Sequence, residues 1–186
     1  TGIYKSMDGG DTFTHAGLGD TQHISRIVVH PTDPNIVYAA SAGHEYTHDK
    51  SRGIYKTIDG GKTWRHVYFE NVKTGVIDLA IDPEQPDILY ATTAERLRYR
   101  WNDPKPGPQA GLIQSTDGGE TWEQILYKGE TTGGVDLTID PKDPDVIIAS
   151  MNHHVTYPWD EESGGPTSGL FKSTDGGDTW TDITHN

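Results

Sequence analysis

The sequence predicts an all-β protein built of four-stranded antiparallel β-propeller blades, about three and a half of them, as a segment of a larger propeller. Three observations predict it. An eight-residue motif occurs four times, with its aspartates at Asp8, Asp59, Asp117 and Asp175. The copies lie roughly 50–60 residues apart, close to the length of one blade. A short apolar run precedes each copy, and a second repeated unit of two apolar runs joined by Pro-x-x-Pro lies between copies.

The elements follow in order. The motif reads Ser6-Met-Asp-Gly-Gly-Asp-Thr-Phe13, Thr57-Ile-Asp-Gly-Gly-Lys-Thr-Trp64, Ser115-Thr-Asp-Gly-Gly-Glu-Thr-Trp122 and Ser173-Thr-Asp-Gly-Gly-Asp-Thr-Trp180. Its two glycines permit the positive φ of a tight turn. Its aspartate accepts backbone N–H groups inside that turn, and its threonine hydroxyl closes the same network. Asp8, Asp59, Asp117 and Asp175 are therefore read as structural. Trp64, Trp122 and Trp180 carry large apolar surfaces to bury, and the space between blades is the place for them. Phe13 stands in for Trp in the first copy.

The unit between copies supplies two more strands. It reads Ile24-Ser-Arg-Ile-Val-Val-His-Pro with Asn35-Ile-Val-Tyr-Ala-Ala40, then Val76-Ile-Asp-Leu-Ala-Ile-Asp-Pro with Asp87-Ile-Leu-Tyr-Ala-Thr92. The third is Val135-Asp-Leu-Thr-Ile-Asp-Pro with Asp145-Val-Ile-Ile-Ala-Ser150. The prolines at 31 and 34, 83 and 86, and 141 and 144 interrupt a ladder and force a turn. One repeat thus gives strands A, B, C and D. Full blades are expected over 24–69, 76–127 and 134–184, and a half blade (C and D only) over 1–15. That half blade predicts further blades, from the same polypeptide or an associated chain, since an open blade edge is prone to pairing.

Composition narrows the partners. The chain has 186 residues, a formal charge of -13 and no cysteine. The negative charge argues against nucleic acid, whose affinity comes from Lys and Arg. No apolar run is long enough to cross a bilayer as a helix. Disulfides and thiolate sites are excluded. No bound cofactor is expected.

The B–C connections carry the insertions: Ala42 to Arg52, Ala94 to Ala110 and Asn152 to Ser168. Long loops on a rigid scaffold are where binding is usually built. The first contains His44-Glu-Tyr-Thr-His48, a literal H-E-x-x-H. That spacing serves zinc only on a helix, and this short loop leaves little room for one. His44 and His48 are read as polar loop histidines, with a non-catalytic site shared with His153 or His154 as the alternative. The second and third loops share Tyr99-Arg-Trp101 and Tyr157-Pro-Trp159, each with Trp ten residues before the strand-C glycine. These aromatics suit sugar stacking or a protein hot spot. They equally suit pinning each loop to the next blade. Arg98 beside Trp101 suits a cation–π stack. Strand A carries Arg26, Asp78 and Asp136 at equivalent positions. The two aspartates are the best carboxylate pair for catalysis or for a calcium ion. The competing reading is hydrogen bonding between blades.

The motif resembles the bacterial neuraminidase (Asp-box) repeat. With its Pro-x-x-Pro turn and Tyr-Ala strand end, the whole pattern resembles the sortilin-like propellers, a group that includes sortilin receptors, xyloglucanases and photosystem II assembly factors. The resemblance implies that the Asp boxes lie on the rim, away from any ligand. It implies an extracytoplasmic protein that binds or scaffolds, meeting protein or glycan through its B–C loop face. The alternative it implies is a glycoside hydrolase fragment. A sialidase would need three arginines from separate blades, whereas Arg96, Arg98 and Arg100 crowd one loop. A xyloglucanase carries an aspartate soon after strand B, where this chain has Ala42, Ala94 and Asn152. Its catalytic carboxylates would then lie partly outside the chain, since two are required across the site.

Overall fold

The computed structural model describes residues 1–99, 105–157 and 159–185. Every regular element in it is a strand. A two-stranded hairpin, β1 (Tyr4–Lys5) and β2 (Thr14–His15), opens the chain. The first blade is β3 (Ile24–Val29), β4 (Val37–Ser41), β5 (Gly53–Thr57) and β6 (Arg65–Tyr68), paired in that order and antiparallel. The second is β7 (Thr74–Ile81), β8 (Leu89–Glu95), β9 (Gly111–Ser115) and β10 (Glu123–Leu126). The third is β11 (Thr132–Asp140), β12 (Asp143–Tyr157), β14 (Gly169–Ser173) and β15 (Thr181–Asp182), with β13 (Asp160–Ser163) paired to the far end of β12. The expected all-β architecture of successive four-stranded blades is present.

Two details differ from the sequence expectation. The third insertion is not a plain loop: β12 runs on to Tyr157 and returns as β13, pairing Tyr157 with Asp160 and His154 with Ser163. The β-branched residues Val155 and Thr156 favour that extension. In the same blade the Pro141–Pro144 link is shorter than a loop, since Asp140 already pairs with Asp143 and Pro144 falls inside the first residues of β12.

The core lies between blades, so strand residues are buried on both faces. Tyr38, Ala40 and Ile54 of the first blade pack on Val76, Leu79, Leu89, Ala91 and Ile113 of the second. Tyr90, Leu112 and Leu126 of the second pack on Leu137, Ile147, Ala149, Met151 and Phe171 of the third. The period of two explains the sorting. Tyr38 and Ala40 face forward, while Ala39 between them faces back to Ile3 and Ala16.

The Asp boxes close as their residue types dictate. In each, the aspartate Oδ1 accepts the backbone N–H of the threonine four residues on, at 2.9 Å. The threonine hydroxyl donates to Oδ2. These bonds, led by the threonine hydroxyl, hold the Asp8 and Asp117 carboxyls down at about 2. Asp59 and Asp175 are lowered by the same contacts. The box also receives the A–B turn of its own blade: Gly118 N donates to Asp87 O and Gly176 N to Asp145 O. Trp64, Trp122 and Trp180 lie half-buried in the inter-blade clusters. Trp64 Nε1 reaches back to Ala16 O at 2.7 Å.

A second inter-blade contact involves the strand-B tyrosine. Tyr38 donates its hydroxyl to Gly118 O in the next blade's box at 2.9 Å, and Tyr90 does the same to Gly176 O at 2.9 Å. Burial pushes the Tyr38 phenol up to about 12, which keeps it a donor. The third blade has Ile148 at that position.

Candidate functional site

Strand A carries a β-bulge at the same place in all three blades, between Ile24 and Arg26, Val76 and Asp78, and Gly134 and Asp136. A bulge re-aims the side chain that follows it. It turns Asp78 toward the neighbouring blade. Asp78 is buried, its Oδ1 accepts Leu79 N at 2.9 Å and its Oδ2 accepts Leu137 N of the third blade at 3.2 Å. Arg26 Nε lies 3.3 Å from Asp78 Oδ1. Burial raises the Asp78 pKa, a hydrogen bond with Asp136 raises it further, and the two backbone N–H groups and Arg26 oppose the shift. Asp136 is exposed and accepts Leu137 N at 3.0 Å. The three strand-A residues therefore do come together, and Asp78 is engaged as an inter-blade stitch.

The opposite end of the strands carries the insertions. The first loop is not helical, so His44 and His48 do not share a helix face. His44 Nδ1 accepts Tyr46 N at 3.1 Å, and His48 is exposed. The loop is wound around Arg52, a residue that sequence reasoning passed over. Arg52 is fully buried and donates to the carbonyls of Val72, Ala42, His44 and Thr47. Gly43, at φ 72°, touches its side chain so closely that any Cβ there would collide with it. Asp49 completes the loop by accepting His44 N at 2.7 Å and Ser51 N at 2.8 Å. The result places Glu45 against the second blade: Glu45 O accepts Arg98 N at 2.6 Å, and its carboxylate lies 3.6 Å from Arg96 and 4.0 Å from Arg98.

Between the second and third blades this face opens into a cavity of about 280 Å³. Its apolar wall includes Ile77, Ala94, Pro106 and Val135. Its polar wall is Glu95, Arg96, Arg98, Asn152 and His154. Ala94 and Asn152, two positions matched to the aspartate of the xyloglucanase pattern, are both on it.

The β12–β13 hairpin rises from the same wall. His153 Nε2 lies 3.4 Å from Glu162 and His154 Nδ1 lies 3.7 Å from Glu161. Tyr157 and Trp159 stack at its tip with ring centroids 5.9 Å apart and planes 15° apart, and Trp159 is 81% exposed. Tyr157 stands three residues beyond His154, or roughly 10 Å along the strand. Tyr99 is half exposed on the second loop, and Trp101 lies outside the described residues. Among the described residues no three His, Asp or Glu side chains gather in a geometry for a metal ion.

The family model described as Sortilin, neurotensin receptor 3 (Sortilin-Vps10) matches residues 1–127. The chain belongs to the Sortilin-Vps10 family. This sortilin-family chain is also similar to known enzymes. It is 28% identical over 166 residues to xyloglucanase Xgh74A of Acetivibrio thermocellus, covering 84% of the chain and 17% of that protein. It is 31% identical over 121 residues to a xyloglucanase of a Paenibacillus species, covering 63% of the chain and 10% of that protein. Among solved structures, an ancestral GH74 enzyme superposes with a TM-score of 0.71 at 18% identity, over 98% of the chain and 21% of the enzyme. At that identity the likeness concerns the propeller fold. The chain spans a small part of the length of each of these relatives.

Proposed function

We propose that this sortilin-family segment binds a neutral glycan on its B–C loop face, in the cavity between the second and third blades. The observation that carries the reading is the composition of that cavity. Its cations Arg96 and Arg98 are paired with the Glu45 carboxylate, Glu95 lines the same wall, and Asn152 and His154 add donors and acceptors. A charge-balanced wall rich in hydrogen-bonding groups over an apolar floor suits an uncharged polyhydroxylated ligand. The exposed Tyr157–Trp159 stack offers a flat apolar face for a further sugar ring. Binding is favoured over hydrolysis because Ala94 and Asn152 stand where the resembling enzymes carry an aspartate. An extracytoplasmic location goes with this reading, as does completion of the propeller by further blades.

Isothermal titration of the intact native chain with xyloglucan oligosaccharides tests it. Saturable binding that Asn152→Ala and Trp159→Ala each weaken is expected. Absence of binding to any neutral oligosaccharide, with capture of a protein ligand by the same face, would move the assignment to a protein-binding propeller. A second reading is favoured by the likeness to xyloglucanases: part of a glycoside hydrolase whose catalytic carboxylates lie outside these residues. Release of reducing ends from xyloglucan by the native protein decides for that reading.

A further inference from the structure

The first blade has no residue on the cavity wall, yet it reaches the cavity's cations. Glu45 sits on the first B–C loop and holds Arg96 and Arg98 of the second through its carboxylate, and Arg98 again through its backbone carbonyl. The loop that presents it is unusually fixed for an exposed connection. Arg52 ties four of the surrounding carbonyls from a buried position, Asp49 caps two N–H groups, and Asp49 N donates to Val72 O at 3.0 Å. Such a loop delivers one carboxylate to one place. Nothing in the box face or the inter-blade core requires a carboxylate there, because Glu45 is part-exposed and contributes no apolar contact to the core clusters.

We propose that Glu45 is a specificity-determining residue: it offsets the Arg96–Arg98 charge at the cavity mouth, so that the site selects uncharged over anionic ligands. The assignment of the ligand as a glycan rests on the reading above; the electrostatic role of Glu45 does not. Arg96 and Arg98 share the wall with Glu95, so without Glu45 the wall carries a net positive charge, which favours a carboxylate, sulfate or phosphate. A carboxylate 3.6 to 4.0 Å away both neutralises that charge and repels an incoming anion. The H-E-x-x-H segment thus has a use for its glutamate that needs neither zinc nor a helix.

The test compares the wild type, Glu45→Gln, Glu45→Asp and the double variant Glu45→Gln/Arg96→Ala in the intact native chain. The probes are inorganic sulfate, read by thermal shift against chloride at equal ionic strength, and a neutral xyloglucan oligosaccharide, read by calorimetry. Sulfate affinity is expected to rise up to about fivefold in Glu45→Gln, the scale of one part-exposed charge pair. It should rise less in Glu45→Asp and fall back in the double variant. Neutral-glycan affinity should change less than sulfate affinity. Sulfate binding that is unchanged by Glu45→Gln, or a gain that survives loss of Arg96, would overturn the proposal. Should Glu45→Gln not fold, Glu45→Ala removes the same charge, and no gain in sulfate affinity in that variant counts against the role. If no variant binds the oligosaccharide, the glycan reading fails while the sulfate arm still decides Glu45.

Discussion

The two faces of this propeller segment solve the same problem by opposite means. On the Asp-box face, the turns saturate themselves: each aspartate is spent on its own threonine and serine or threonine neighbours, and Gly60, Gly118 and Gly176 donate to the A–B turn of their own blade. On the B–C face the turns saturate one another, through side chains that come from different blades, such as Glu45 with Arg96 and Arg98. The first arrangement is local and repeats. The second is long-range and does not repeat, and the candidate cavity lies beside it. The box aspartates are consumed within their own turns, whereas the B–C face gathers charged and hydrogen-bonding side chains around its cavity, and that is why binding is assigned to the latter.

Two tryptophans test this contrast most directly. Trp122 packs in the inter-blade core and stacks at a tilt on Tyr68. Trp122→Ala is expected to cost about 3 kcal/mol, the low end for an aromatic truncation because the ring is half-buried. Guanidinium unfolding checks it. The next largest effect belongs to Arg52→Met, which leaves four part-buried carbonyls without this donor and is expected to cost about 2 kcal/mol. Hydrogen exchange should show the loss concentrated in residues 42–52, with the Asp boxes still protected; uniform loss of protection would mean that the loop is no separate unit. Tyr90→Phe removes one hydroxyl from the box contact, and Gln114 Nε2 still reaches Gly176 O at 3.1 Å. A cost of about 1 kcal/mol or less follows. Smallest in stability is Trp159→Ala, under about 0.5 kcal/mol for so exposed a ring, yet it should weaken glycan binding. Equal stability losses for Trp159→Ala and Trp122→Ala would erase the distinction between the faces.

Acid separates the two kinds of carboxylate as well. The box aspartates are lowered, with Asp8 and Asp117 at about 2. An unfolded aspartate titrates near ~4. Their contribution is therefore present above that value and lost as pH falls through the folded pKa. Asp78 is raised, chiefly by burial. Its contribution has the opposite sign: present at low pH and lost as pH rises through its folded pKa. Urea midpoints measured from acid to neutral pH should show both slopes, and Asp78→Asn should remove only the second.

The boxes, the blades and their strand order were legible because each rests on residues close in sequence: glycines at fixed offsets, alternating apolar positions, paired prolines. The strand-A carboxylates were legible as a group, since they sit at one register position. Arg52 was hidden because its partners are carbonyls, which every residue has, and only the path of the loop brings four of them together. Glu45 was visible only as the middle of a misleading zinc pattern. The β12–β13 hairpin was read as a loop because Pro158, Gly164 and Gly165 interrupt an otherwise strand-like stretch.

Local chemistry along the chain determined the repeat, the antiparallel blades and the self-contained Asp boxes, because turn geometry and a period of two need no information from elsewhere. The tertiary structure alone decided which polar groups meet across blades: Asp78 with Leu137, Tyr38 with Gly118, Glu45 with Arg96. Those contacts join residues 51 to 80 positions apart, and their geometry depends on how bulged, twisted sheets stack, a property of the packed blades and of no single stretch of sequence.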